Sequence, residues 1–288
     1  MGTLRDIKRR ISGVESTKKI TRAMKMVASA KLRKAQDSIL NARPYAKKIS
    51  ELLQKLLINK DFSNNPLLIQ KEGKSVLLVV VTADKGLCGS FNTNLIKEAV
   101  RATEEITADG YNVSIYCIGK KGFDYFSKRN FNVVNSKVGV FAGLKSDVAL
   151  RITDEIVGDY LADKYQKVHL IYNEFKSVIQ QKIVRTEYLP IIVSEKEKND
   201  KQEDYIFEPS VESIFEMILP MYLNSVLWRV LLESNAAELG AKMTAMENAT
   251  TNAQELIRTL KIKYNKERQA AITKELIEVV SGANALKT

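Results

Sequence analysis

The stretch LGAKMTAMENATTNAQELIRTLKIKY, residues 239–264, decides the fold. Within it Leu239, Met243, Met246, Thr250, Ala253, Ile257, Leu260 and Tyr264 recur at alternating spacings of four and three, the seam of a coiled coil. The seam then slips by one residue and resumes at Ile272, Leu276, Val279, Ala283 and Leu286, so the supercoil is expected to loosen between Glu267 and Ala271. No proline interrupts Met221 to Leu286, and the pattern predicts one helix from about Ser210 to Leu286. A helix of that length cannot fold back on itself and needs a partner.

The partner available within the chain is the first helix. Leu4, Ile7, Ile11 and Val14, then Ala28, Leu32, Ala35, Ile39 and Ala42, keep one heptad phase, which Ala46, Ile49, Leu53 and Leu56 continue. Between these runs the phase falls on Lys18, Thr21 and Lys25, while Ile20, Met24 and Val27 form a second stripe displaced around the helix. Thr3 with Asp6 has the spacing of a capping box, and Pro44 is expected to kink the helix. Helices entering and leaving one compact middle segment lie antiparallel. At ~1.5 Å per residue the last overhangs the first by roughly 30 Å, from near Arg268. The overhang (Ala270, Ala271, Ile272, Leu276, Ile277, Val279, Val280, Ala283) is apolar around most of its circumference, more than a solvated single helix sustains, which predicts insertion into another protein.

Between the helices the period changes. Val76 to Thr82 is a continuous apolar run of the kind buried on both faces of a parallel sheet. A helix over Thr93–Thr107, a strand over Asn112–Ile118, a short helix over Gly122–Lys128 and a weaker strand over Phe131–Val134 follow. Then come a helix over Ser146–Lys164, a strand over Val168–Phe175 and an antiparallel strand over Ile179–Val184. The predicted class is α/β: a long antiparallel coiled coil of the terminal helices plus an open Rossmann-like α/β domain. The boundaries read as an N-terminal coiled-coil helix at 1–58, the α/β domain at 74–193, a charged linker at 194–209 and a C-terminal coiled-coil helix at 210–288.

Charge is the most uneven property of the 288 residues. Residues 1–60 hold sixteen Lys or Arg against four acids, whereas the rest nearly cancels. A basic helix suits nucleic acid, anionic lipid or an acidic protein, or is simply a solvated face. The run lacks interleaved aromatics and no known DNA-binding signature follows it, so nucleic acid is not the expected partner; a coiled-coil scaffold binding nucleic acid through this helix is the alternative reading. Cys88 and Cys117 make no CxxC pair or disulfide framework, and neither has a histidine beside it. No secretory h-region follows Met1 and no stretch reaches eighteen uncharged apolar residues, so any membrane association is expected to be peripheral.

Chemistry is sparse. Asp84-Lys85-Gly86-Leu87-Cys88-Gly89-Ser90 follows a strand and precedes a helix, where nucleotide loops sit, but it offers only GxxG and lacks the Lys-Ser/Thr of a phosphate cradle; Gly119 to Gly122 fails likewise. His169 is the single histidine, in an apolar strand with no second ligand near it. Asp154 with Glu155, and Glu104 with Glu105, are neighbours on helices, point apart and read as solvated surface. Met24, Met26, Met243 and Met246 read as core. No catalytic residue, cofactor or metal is expected.

Ile272-Thr273-Lys274-Glu275-Leu276-Ile277-Glu278-Val279-Val280-Ser281-Gly282-Ala283-Asn284-Ala285 closely resembles the C-terminal signature of the gamma subunit family of F-type ATP synthases. Residues Lys19 to Ala28, Asp84 to Gly89, Met243 to Asn252 and Tyr264 to Gln269 are similar to the same family in the same order, so the resemblance spans the chain. It implies a non-catalytic central rotor stalk whose terminal helices wind together inside a hexamer of three alpha and three beta subunits. It also implies an α/β domain at the foot of the stalk, beside the epsilon subunit and the membrane c-subunit ring, on the cytoplasmic face of the membrane. By position, Arg268, Gln269 and Thr273 resemble the family's contacts to a loop of beta, and Met24 and Lys25 lie near beta's acidic lever segment. Plant chloroplast members carry a redox-active cysteine insertion; no cysteine follows Cys117 here, so thiol switching is not expected.

Overall fold

A computed structural model describes residues 4–59, 62, 64–192, 208 and 210–285. The element order is α1 (Leu4–Asn59), β1 (Ser75–Val81), α2 (Phe91–Ala108), β2 (Asn112–Ile118), α3 (Lys120–Phe126) and β3 (Val133–Lys137), then a 3-10 turn (Val140–Ala142), α4 (Ser146–Leu161), β4 (Lys167–Phe175), β5 (Gln181–Leu189) and α5 (Val211–Ala285). The chain divides into two compact units, residues 29–242 and residues 1–28 with 243–288. The charged linker expected at 194–209 lies almost wholly outside the described residues.

The larger unit is built on a five-stranded sheet of order β3-β2-β1-β4-β5, parallel except for the β4–β5 pair. Its centre is β1, whose side chains alternate between two cores because successive residues of a strand point to opposite faces. Leu77, Val79 and Val81 join Ala149, Ile152 and Tyr160 of α4 and Phe215, Leu223 and Leu227 of α5, whereas Val76, Leu78 and Val80 join Leu95, Ala99 and Ile106 of α2 and Phe126 of α3. Both faces are covered, which is why the strand reads as a continuous apolar run. Leu32, Ala35 and Ile39 of α1 meet Leu232, Ala236 and Leu239 of α5 in a third cluster, as their shared heptad phase requires. Gly240 of α5 passes close to the β4–β5 hairpin: a Cβ there would stand 3.3 Å from the Val178 carbonyl oxygen.

Two helices continue through an internal proline, and two other element boundaries differ from expectation for identifiable reasons. The chain runs helical through Pro44 and through Pro220, each inside its helix. A proline inside a helix costs about 3 kcal/mol, and burial of Ile39, Ile49, Leu53 and Leu56 around Pro44 offsets it. Helix α3 starts at Lys120 because the Asp84 carboxylate accepts the Lys120 backbone N–H, a cap supplied from 36 residues away. Strand β5 extends to Leu189 rather than stopping at Val184, paired with β4 through a register shift at Val168/His169. An 18-residue window of α5 has a mean hydropathy of 1.3, apolar enough to cross a membrane by composition alone, and 44% of it is buried in protein.

Candidate partner interface

The smaller unit pairs the first turns of α1 with the last half of α5. The helices run antiparallel: Glu15 faces Lys261 at 3.5 Å, Thr21 shares a hydroxyl hydrogen bond of 2.7 Å with Thr250, and Lys25 donates to Glu247 at 2.6 Å. Ile7, Thr21 and Ala28 of α1, with Met246, Ala253, Ile257 and Leu260 of α5, are buried along this seam. The polar positions Lys18, Thr21 and Lys25 therefore stay in the seam. The stripe of Ile20 and Val27 is instead exposed, and Met24 is half-buried. Met26 is 62% exposed, which corrects its reading as core.

Beyond Leu260 the seam gives out. Ala271 is the last half-buried residue among those described; past it Ile272, Leu276, Ile277, Val279 and Val280 are 49–69% exposed, and no α1 residue covers them. Thr273, Leu276, Ile277, Val280 and Ser281 line a shallow groove on this tip. A contiguous exposed apolar surface of this kind marks an interaction site in a folded chain. Arg268 and Gln269 are exposed immediately before the tip, while the Thr273 hydroxyl donates to the Gln269 carbonyl at 2.9 Å, inside its own helix. Lys25 is bonded to Glu247, a residue that periodicity did not single out, at 2.6 Å. The side chains of residues 283–285 lie outside the described set.

At the end of β1 the following loop is tied to the segments that follow β2 and β3. The Asp84 carboxylate accepts backbone N–H groups of Lys120 (3.0 Å), Gly139 (2.7 Å) and Phe141 (3.1 Å). Thr82 accepts the Gly122 N–H at 2.8 Å, and Gly119, at φ +95°, has no room for a Cβ against the Thr82 carbonyl. In a doubly wound sheet this is where N–H groups bind a ligand's phosphates. Here three of them hold the chain's own carboxylate.

The remaining titratable groups are structural. Burial, reinforced by Arg185 and Lys167, pushes His169 down to about 4, so it is neutral near pH 7. Both cysteines are free and buried; burial raises the Cys88 thiol, with Glu238 adding to it, and pushes Cys117 up to about 12, so neither is a ready thiolate. Glu155 is not simply solvated: it accepts from Lys137 (2.6 Å), Tyr116 (2.8 Å) and Asn135 (3.1 Å). Its burial works to raise its pKa, but those bonds hold it below the usual carboxylate value. Glu105 likewise pairs with Arg101 and Arg185. Among the described residues no group of three His, Cys, Asp or Glu is placed to hold a metal.

The sequence profile of the ATP synthase family matches residues 3–286. The ATP synthase gamma chain of Chlorobium phaeobacteroides is 49% identical over 291 residues, spanning all of both chains, and that of Chloroherpeton thalassium is 48% identical over 301 residues, spanning all of this chain and 99% of the relative. Among solved structures, a chain from the central stalk and c-ring of the Tetrahymena thermophila mitochondrial ATP synthase superposes with a TM-score of 0.63 at 28% identity, covering 80% of this chain and 99% of that one. A chain of the Euglena gracilis mitochondrial ATP synthase shares the fold, with a TM-score of 0.70 at 19% identity over 99% of this chain and 95% of that one.

Proposed function

The chain belongs to the ATP synthase family, as a gamma chain, and from that premise we infer that it works as the rotor shaft on which the complex turns. It is a non-catalytic subunit, the central stalk of an F-type ATP synthase bound to the membrane. The observation that carries the mechanical reading is the tip of α5: a helix end whose apolar side chains have no cover within the described chain needs a socket. The socket is the hexamer of alpha and beta subunits. The foot of the stalk meets the c-subunit ring and the epsilon subunit, on the cytoplasmic side of the membrane. An asymmetric helical pair presents different faces to the three beta subunits in turn. If one face stabilises one conformation of beta by a few kcal/mol over another, turning the shaft shifts nucleotide affinity from site to site. The chain needs no catalytic residue for this.

Arg268 and Gln269 are proposed as contacts to a loop of beta, with Thr273 beside them; their exposure just before the tip supports this. Charged hydrogen bonds from the guanidinium are worth roughly 1.5 to 3 kcal/mol each. Met24, with exposed Ile20 and Val27, offers the lever segment of beta an apolar stripe among basic residues, and Lys25 borders it. Two experiments test the reading. The purified chain mixed with alpha and beta is expected to co-elute with them on size exclusion and to support ATP hydrolysis; elution as a separate species contradicts it. Arg268→Leu with Gln269→Leu is expected to lower turnover about tenfold, through loss of one or two such bonds, without changing helicity of the isolated chain, since Leu is a good helix former. Turnover equal to the parent's removes both residues from the interface.

A further inference from the structure

We propose that Lys25 and Glu247, backed by the Thr21–Thr250 hydroxyl pair, form a register lock inside the shaft, so that Lys25 is a positioning residue rather than a contact to an acidic partner. The proposal rests on the rotor reading and deepens it. Thr21 and Lys25 are four apart on α1, Thr250 and Glu247 three apart on α5, and the two contacts, at 2.7 and 2.6 Å, make one polar layer between the helices. Beyond one edge the seam is apolar, with Ala28 and Met246 buried; beyond the other, Ala253 and Ile257 of α5 are buried while half-buried Lys18 continues the polar run of α1. Polar residues at seam positions cost stability and fix register, because only one alignment satisfies them. A slip of one heptad, about 10 Å along the axis, would set the buried Thr21 hydroxyl against Met243 or Ile257. In one direction it would also set the Lys25 ammonium beside Gln254 in place of a carboxylate. Thr21, 8% exposed, would then lose Thr250 and keep only the Lys18 carbonyl of its own helix, 3.1 Å away, as a partner.

Register matters to a rotor because it decides which outward residues of α1 lie beside which outward residues of α5. Ile20, Met26 and Val27 are exposed on α1; Leu256 and Ile262 are exposed on α5. The face that each beta subunit meets is the sum of both helices, so a slipped coil would present a different face at the same angle of rotation. The Lys25 and Glu247 side chains, 35% and 54% exposed, pair at 2.6 Å on the rim of the seam, so a second acid reaching Lys25 competes with Glu247.

A charge swap tests this in the complex assembled with alpha and beta. Lys25→Glu and Glu247→Lys each place like charges in the layer and are expected to lower hydrolytic turnover about threefold or more. The double substitution restores the pair in reverse and is expected to return turnover to within about twofold of the parent. Lys25→Arg is expected to behave as the parent. Helicity of each isolated chain, followed by circular dichroism, is expected to be unchanged. If the double variant is no better than Lys25→Glu alone, Lys25 meets an acid outside the chain and the proposal is overturned. Parent-like turnover of both single variants overturns it as well. A parent chain that supports no turnover at all would instead count against the rotor reading.

Discussion

The central strand β1 and the tip of α5 are both rich in Ile, Leu and Val, yet among the described residues one is almost wholly buried and the other largely exposed. Val76 to Val81 are at most 1% exposed, whereas Ile272, Leu276, Ile277, Val279 and Val280 are 49–69% exposed. Apolar composition states that a surface must be covered and is silent on what covers it. For β1 the cover is supplied by this chain, from α2 and α3 on one face and α4 and α5 on the other. At the tip it must come from another molecule. The first region therefore stores stability and the second stores affinity, and single substitutions should separate the two.

The largest contrast is expected between Leu78→Ala and Ile277→Ala. Leu78 is fully buried, and its truncation is expected to cost the isolated chain about 3 kcal/mol through lost transfer energy and a residual cavity. Truncation of the exposed Ile277 should change the same denaturant midpoint by less than about 0.5 kcal/mol, while loosening the chain's hold on the hexamer. An equal loss of stability in both variants would mean that the tip is packed within the chain after all.

A smaller effect separates the sheet from the shaft by pH. His169 of β4 titrates near 4 in the folded chain against an ordinary value of 6.5, so the unfolded chain binds the extra proton first. Stability is therefore lost as pH falls from 6.5 toward 4, and is unaffected by this group above 6.5. After discounting for partial exposure, the loss is about 2 kcal/mol. His169→Gln is expected to flatten melting temperature over that window. An unchanged acid slope would remove His169 as its cause.

The smallest effect is at Glu155, whose folded value is depressed by Lys137, Tyr116 and Asn135. Its contribution is present above the unfolded carboxylate value of about 4.3 and is lost as pH falls through the folded value. Because the Lys137 pair is about one-third exposed, Glu155→Gln should cost under about 1 kcal/mol at neutral pH, with the gap closing at acid pH. A gap that stays constant with pH would assign it to packing instead.

How much of this was legible in the sequence depends on whether the information is local. The helices and the central strands were legible because a period of 3.5 or a run of β-branched residues repeats within a few positions. So was the uncovered tip, since a one-residue slip followed by apolar residues on several faces is visible in one segment. The cap on α3 was not, because its acceptor, Asp84, lies on a different loop and reads alone only as a failed nucleotide motif. The second half of β5 was hidden by Arg185, Thr186 and Glu187 on an edge strand, where polar residues are tolerated. The polar layer was hidden differently. Lys18, Thr21 and Lys25 look like an interruption of the α1 seam until Thr250 and Glu247 are set opposite, and that pairing is a property of two helices. Lys25, which the family resemblance places near beta's acidic lever segment, also has an acid of its own chain 2.6 Å away.

The most direct test of the division between stored stability and stored affinity is removal of residues 277–288, measured as the dissociation rate of the truncated chain from the alpha–beta hexamer together with the thermal melt of the same chain alone. Loss of most of the uncovered apolar tip, at about 25 cal/mol per Å² of surface withdrawn from water on insertion, is expected to speed dissociation at least tenfold, while the cooperative melt of the isolated chain stays where it was. An unchanged dissociation rate, or a melt that loses its cooperativity, would contradict the account.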